Sequence, residues 1–214
     1  MEKSMKKFSF YFVAAVMMMI LAGCAIGVHK RSPQDVQTIK SLSQQLEDLR
    51  RAKARLESQL HKEIAQGDVS ITMGKRGLVV TVVAEVLFDS GKAKIKSQGQ
   101  TVLNKVANVL GPMSDSIAIE GHTDNVPIKF SSWKSNWELS TQRALNVVHY
   151  FEDDKGINPQ RMSATGYGSH HPVTSNDTPE GKQMNRRVEI IVLPSSSSNV
   201  SNASAADDYD EFIK

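Results

Sequence analysis

Apolar positions along the chain change their period several times, and each change marks an element. Ser32-Pro33-Gln34-Asp35 has the form of a helix start: a serine cap, a proline in the first turn and an early acid. Apolar residues then recur at Ile39, Leu42, Leu46, Leu49, Leu56 and Leu60, three and four apart, with Lys53 in the remaining place. That spacing predicts a coiled-coil seam over residues 35–64, about 45 Å long at ~1.5 Å per residue, through which copies associate. The same pattern also describes a single amphipathic helix lying on its own domain. After Gly67-Asp68 the period shortens to two. Residues 69–73 and 78–83 flank Gly74-Lys75-Arg76-Gly77 and predict a hairpin, followed by a short strand ending at Phe88-Asp89. Ser97 with Gln100 forms a capping box for a helix whose face is Val102, Leu103, Val106, Val109 and Leu110, closed by Gly111-Pro112. Residues 116–120 predict a strand. Ser135 with Glu138 opens a second helix, running to about Asp153 with Ala144, Val147, Val148 and Phe151 inward. Strands at 161–165 and Arg187–Leu193, with a short helix near 179–184, complete the pattern.

Strands alternating with helices over residues 67–194 predict an α/β (α+β) sandwich, a mixed sheet with helices on one face. Both ends differ from this middle. Residues 195–214, SSSSNVSNASAADDYDEFIK, are polar and then acidic, with too few apolar groups to pack, and predict a disordered tail. At the other end Lys3, Lys6 and Lys7 precede an apolar run over residues 8–22, the layout of a secretory signal. Continued to Val28, the run also has the length of an uncleaved membrane anchor. The expected order is therefore a leader (1–23), a linker (24–34), a coiled-coil helix (35–66), the sandwich domain (67–194) and the tail.

Charge narrows the function. Lys and Arg number 26 against 23 Asp and Glu, and the two signs are interspersed, which argues against a nucleic-acid-binding face. There is no GxSxG, HExxH or phosphate loop, and the pair Asp89 and Asp124 has no second feature supporting glycosidase chemistry. His170-His171 lacks Cys or acid neighbours at ligand spacing, and His122 reads as a loop-packing histidine. A binding protein without metal or cofactor is expected. Its candidate residues carry opposite charges. Asp124 follows a strand, at the end where open α/β sheets place ligands, although a plain Asx turn explains it equally well. Asn136, Leu139 and Arg143 stand at i, i+3 and i+7 on one helix stripe, offset from the apolar face and so bordering a groove. Arg143 has Leu139 and Val147 four residues either side, so no helix acid pairs with it, and it is free to grip a carboxylate bidentately. Together Asp124 and Arg143 suit a ligand bearing both an ammonium and a carboxylate.

The blocks Gly121-His122-Thr123-Asp124, NWELSTQRA from Asn136 to Ala144, and Asn185-Arg186-Arg187-Val188-Glu189 together resemble the peptidoglycan-binding domain shared by OmpA-like proteins, Pal lipoproteins and the stator protein MotB. The resemblance runs from about Val86 to Leu193. It implies that Asp124 binds the ammonium of diaminopimelate in the peptidoglycan stem peptide and that Arg143 binds its carboxylate. Phe88 and Asp89 match a strand-end pair of that family, Asn136 and Leu139 match further pocket positions, and Thr123, Asn185 and Arg186 line or brace the site. The loop over residues 125–135 is longer than the common pattern and resembles the MotB version, with Trp133 and Trp137 either covering ligand or filling core. Leu21-Ala22-Gly23-Cys24 resembles the lipobox of bacterial lipoproteins, which implies cleavage before Cys24, the sole cysteine, and its lipidation. Ala25, in place of Asp, implies sorting to the outer membrane. The expectation is an outer-membrane lipoprotein whose periplasmic domain grips peptidoglycan, self-associating through residues 35–64. Two competitors remain: an inner-membrane stator of the MotB kind, and a coiled-coil envelope adaptor for a protein partner. A stator needs a titratable group in its span, and residues 8–28 hold no acidic or basic side chain.

Overall fold

The computed structural model describes residues 32–129 and 132–194. The leader, Cys24 and the tail lie outside the described residues. The chain divides into two units, Met1–Lys40 and Ser41–Lys214. Helix α1 (Pro33–Gln59) begins in the first, where Ser32 Oγ accepts from the Asp35 amide and Asp35 returns a bond to the Ser32 amide, both at 3.1 Å. That reciprocal cap is why the helix starts at the predicted place.

The second unit holds the sheet. In order come α2 (His61–Ala65), β1 (Val69–Gly74), β2 (Gly77–Val83), α3 (Ala84–Leu87), α4 (Ser97–Leu110), β3 (Ser116–Gly121), α5 (Asn136–His149), β4 (Met162–Gly166), α6 (Pro179–Asn185) and β5 (Arg187–Leu193). A π-type turn, Tyr150–Asp154, extends α5. The strands lie in the order β1-β2-β5-β3-β4, antiparallel throughout except for β3 beside β4. The period of two sends Leu78, Val80 and Val82, Ile117 and Ile119, and Val188, Ile190 and Val192 into one core with the faces of α4 and α5. The mixed α/β sandwich is the fold expected. Burying a side chain of this size contributes about 1.5–3 kcal/mol, so the layer is held by apolar burial rather than by its surface ion pairs.

Two expectations fail here. The seam does not face a second chain along its whole length: Leu49, Ala52, Leu56 and Leu60 are buried in the core of their own domain. Leu42 and Leu46 stay 56% and 42% exposed, and Lys53 pairs with Glu57 on the helix surface. A three-four spacing records that a helix has an apolar stripe, not what covers it, and here the lower stripe covers the sheet's own core. The strand expected to end at Phe88-Asp89 is instead the short helix α3, after which Phe88 makes a single bridge with Ile95.

Contact between α5 and the sheet depends on two glycines. Gly121 and Gly166 are register partners on β3 and β4. A Cβ on Gly121 would stand 2.1 Å from the Ser140 carbonyl oxygen, and one on Gly166 would stand 2.4 Å from the Thr141 amide nitrogen. The helix rests directly on strand backbone at the turn that precedes Arg143.

Candidate ligand-binding site

A cavity of about 400 Å³ opens where α3, the loop after β3 and the first turns of α5 converge. Phe88, Asp89, Thr123, Asp124, Asn136, Leu139, Arg143 and Arg186 all line it. The loop and helix are locked together locally. Ser135 Oγ accepts from the Glu138 amide, Glu138 accepts from the Lys134 amide, and Asn136 Nδ2 donates to the Val126 carbonyl at 3.0 Å. Thr123 is held by a backbone bond from its amide to Gly168 O, at 2.9 Å.

Asp124 makes the Asx turn and also lines the cavity. Oδ1 accepts from the Val126 amide at 3.1 Å, an Asx turn, while Oδ2 accepts from Arg186 Nη1 at 2.7 Å. Arg186 also grips Glu85, with Nε 2.6 Å from Oε1. Burial works against the Arg186 charge, but its hydrogen bonds to Asp124 and Glu85 outweigh it and hold the guanidinium above its usual range. Arg143 is placed differently. It is only 5% exposed, not on a groove margin as the helix stripe predicts. Its Nε donates to the Lys92 carbonyl at 3.0 Å and its guanidinium lies 5.1 Å over the Phe88 ring. Among the described residues its two Nη groups have no hydrogen-bond partner, and the residue opens onto the cavity. Burial is the main reason its pKa falls to about 10; the Arg186 charge lowers it further, against the opposing pull of Glu85 and Asp124. A buried cation with free donors, facing a carboxylate across a cavity, is arranged to take an anion.

The OmpA family description matches residues 87–186 of this chain. These residues form an OmpA family domain. Motility protein B of Bacillus subtilis (strain 168) is 37% identical over 150 residues, 69% of this chain and 57% of that protein. Probable lipoprotein YiaD of Escherichia coli (strain K12) is 32% identical over 139 residues, 64% of this chain and 61% of that one. The chain thus spans less than two thirds of the length of either curated relative. Among solved structures, the cell wall anchor of the T6SS from Pseudomonas aeruginosa superposes with a TM-score of 0.61 at 32% identity, covering 66% of this chain and 99% of that chain.

Within the OmpA-family domain, Asn185 is the predicted site residue that does not reach the cavity. It is wholly buried, accepting from the Val173 and Thr174 amides and donating to Thr174 O and Asn176 Oδ1. Four bonds to one loop make it a brace that fixes where Arg186 starts. Asp89 sits at the exposed rim and pairs with Lys92 at 3.2 Å. Trp133 ties the long loop to Gly91 O at 2.8 Å, and Trp137 stacks in the open on His170, so neither fills the core. Glu85 was not legible: nothing near it in sequence signals a partner 101 residues away. Ser140 is a second omission. It accepts from the Gly168 amide at 2.9 Å and donates to Trp137 O, fastening α5 to the loop after β4.

Proposed function

We propose that the domain binds peptidoglycan non-covalently, holding the zwitterionic end of a stem-peptide diamino acid, diaminopimelate, between Asp124 and Arg143. One observation carries this reading: Arg143 is buried and charged, with its Nη donors unpartnered among the described residues and turned to a cavity that Asp124 also lines. A ligand carboxylate would accept from both Nη groups, and the ligand ammonium would donate to Asp124. An ionised carboxylate offers about four lone-pair sites, so Arg186 and Val126 leave room for that bond. Arg186 then serves as the positioning residue that keeps Asp124 aimed. The chain acts as an outer-membrane lipoprotein, lipidated at Cys24, that ties this membrane to the wall. Its Leu-Ala-Gly-Cys leader and its similarity to a relative named as a probable lipoprotein support this assignment.

An inner-membrane stator is the second reading, favoured by the match to motility protein B. The absence of acidic and basic side chains from residues 8–28 weighs against it. Co-sedimentation with purified sacculi tests the wall reading. Wild type should pellet, and Asp124→Ala and Arg143→Ala should each lose at least about tenfold in affinity, since a hydrogen bond to a charged group contributes ~1.5–3 kcal/mol. Equal retention of all three refutes the site. Separately, Cys24→Ser should accumulate as uncleaved precursor in the inner membrane; normal processing of that variant refutes the lipoprotein assignment.

A further inference from the structure

Glu120 and His122 alternate with the core residue Ile119 along β3 and its exit, and Glu189 alternates with Val188 and Ile190 on β5. The three therefore belong to the sheet face opposite the helices. Glu120 and Glu189 are direct cross-strand partners in the antiparallel register. Like charges so placed repel, and each is held by an arginine, Glu120 by Arg76 and Glu189 by Arg187. One ligand atom from each of Glu120, His122 and Glu189 lies within 4.8 Å of the other two.

His122 is the second, independent observation. It is 3% exposed, and neither ring nitrogen has a hydrogen-bond partner among the described residues. A neutral imidazole carries one donor and one acceptor, and burying both unused is a cost that proteins rarely leave standing. Tyr167 stacks on the ring at 5.3 Å, which accounts for its orientation but not for its nitrogens.

We propose that Glu120, His122 and Glu189 form a site for a zinc-class divalent cation that clips β3 to β5 on the sheet face away from the helices. One imidazole nitrogen with carboxylate oxygens is a zinc donor set, with bonds of about 2.0–2.2 Å and neighbouring ligands therefore roughly 3.3 Å apart. Three protein ligands leave one position for water. The carboxylates are already oriented: Arg187 Nε donates to Glu189 Oε1 at 2.6 Å, and Arg76 donates to both oxygens of Glu120 at 2.6 and 2.9 Å. Hydrogen-bonded carboxylates of this kind are usual around metals, and each oxygen keeps a lone pair for ligation. The two arginines differ in role. Arg187 is buried and stays as the orienting partner, whereas Arg76 is half-exposed, spans both Glu120 oxygens and competes with a cation for them.

The test is zinc titration of the untagged, chelator-stripped full chain by calorimetry, with cobalt as a spectroscopic probe. Wild type should take one Zn²⁺ per chain, give visible Co²⁺ bands of four- or five-coordinate intensity, and ignore Mg²⁺ and Ca²⁺. Glu189→Gln and His122→Gln should each weaken zinc by more than about a hundredfold, beyond what a change outside the ligand set produces. Arg76→Gln should tighten it several-fold, and the double change of His170 and His171 to Ala should leave it unaltered. Failure of wild type to bind zinc stoichiometrically overturns the proposal whatever the variants do. So does zinc affinity unchanged in a folded Glu189→Gln protein. Sacculus binding by Glu189→Gln should match wild type, which keeps this result separate from the wall-binding reading.

Discussion

Replacing Gly121 by alanine tests whether the seat of α5 sets the geometry of the cavity. The added Cβ would stand 2.1 Å from the Ser140 carbonyl oxygen, 2.8 Å from its carbon and 3.2 Å from its Cα. The first of these is roughly 1 Å closer than atoms can pack, and every obstacle is helix backbone, not a side chain that can swing away. The helix must therefore lift. It is pinned beside this point by Gly166 under Thr141 and by the Ser140–Gly168 hydrogen bond, so tilting away is opposed. Overpacking of a tight contact costs about 1–3 kcal/mol, and this site belongs at the upper end, reduced by ~0.4–1 kcal/mol because alanine restricts the unfolded chain. A net loss of about 2 kcal/mol in a domain of this size lowers Tm by roughly 5–12 °C. Function should suffer more than stability. Arg143 lies three residues beyond Ser140 and Asp124 three beyond Gly121, so the shift separates the two charges directly. A misplacement of about 1 Å can cost on the order of a hundredfold where two groups must act together. The assay is differential scanning calorimetry beside sacculus binding, at a temperature where the variant is fully folded. A Gly121→Ala protein with wild-type Tm and wild-type binding refutes the reasoning.

Arg143→Met should abolish binding while leaving Tm equal to wild type or above it, because it removes a buried cation with unfilled donors; thermal unfolding and pelleting of one preparation check both. His122, held near a pKa of about 3 against 6.5 unfolded, stays neutral in the fold while the unfolded chain takes up a proton. Stability should therefore fall as pH drops from about 6.5 toward 3, by on the order of 1.4 kcal/mol for each pH unit, and His122→Asn should flatten that limb in urea titrations at pH 7, 5 and 4. Leu56→Ala, in the core, should cost about 2–5 kcal/mol, whereas Leu42→Glu should leave Tm unchanged and lower only the self-associated fraction seen by analytical ultracentrifugation.

Local signals located most of the elements. Period-two runs marked β1, β2, β3 and β5, and the Ser135–Glu138 box placed the start of α5 to the residue. That Asp124 and Arg143 line one cavity was legible because Asp124 follows a strand end and Arg143 shares a helix stripe with Asn136 and Leu139. What was hidden depends on partners distant in the chain. Leu49, Leu56 and Leu60 are periodic whether a second helix or their own sheet covers them. Asn185 reads as a motif member, yet its bonds run back to the loop at 173–176. Arg143 sits deeper than its helix stripe implies, because α5 lies on two glycines and not on side chains. Glu85 lines the cavity too, and its pairing with Arg186 spans nearly half the chain.

Because Asp124 and Arg143 are 7% and 5% exposed, the charges offered to a ligand lie inside the protein boundary and not on its surface. Mobile ions screen exposed charges over about 8 Å at physiological ionic strength but act far less on buried ones. A grip made by surface lysines would loosen as the medium grew saltier and tighten as it was diluted. This one should change little over the same range. On the proposed wall-binding reading, such a grip would hold with nearly constant strength through osmotic shocks.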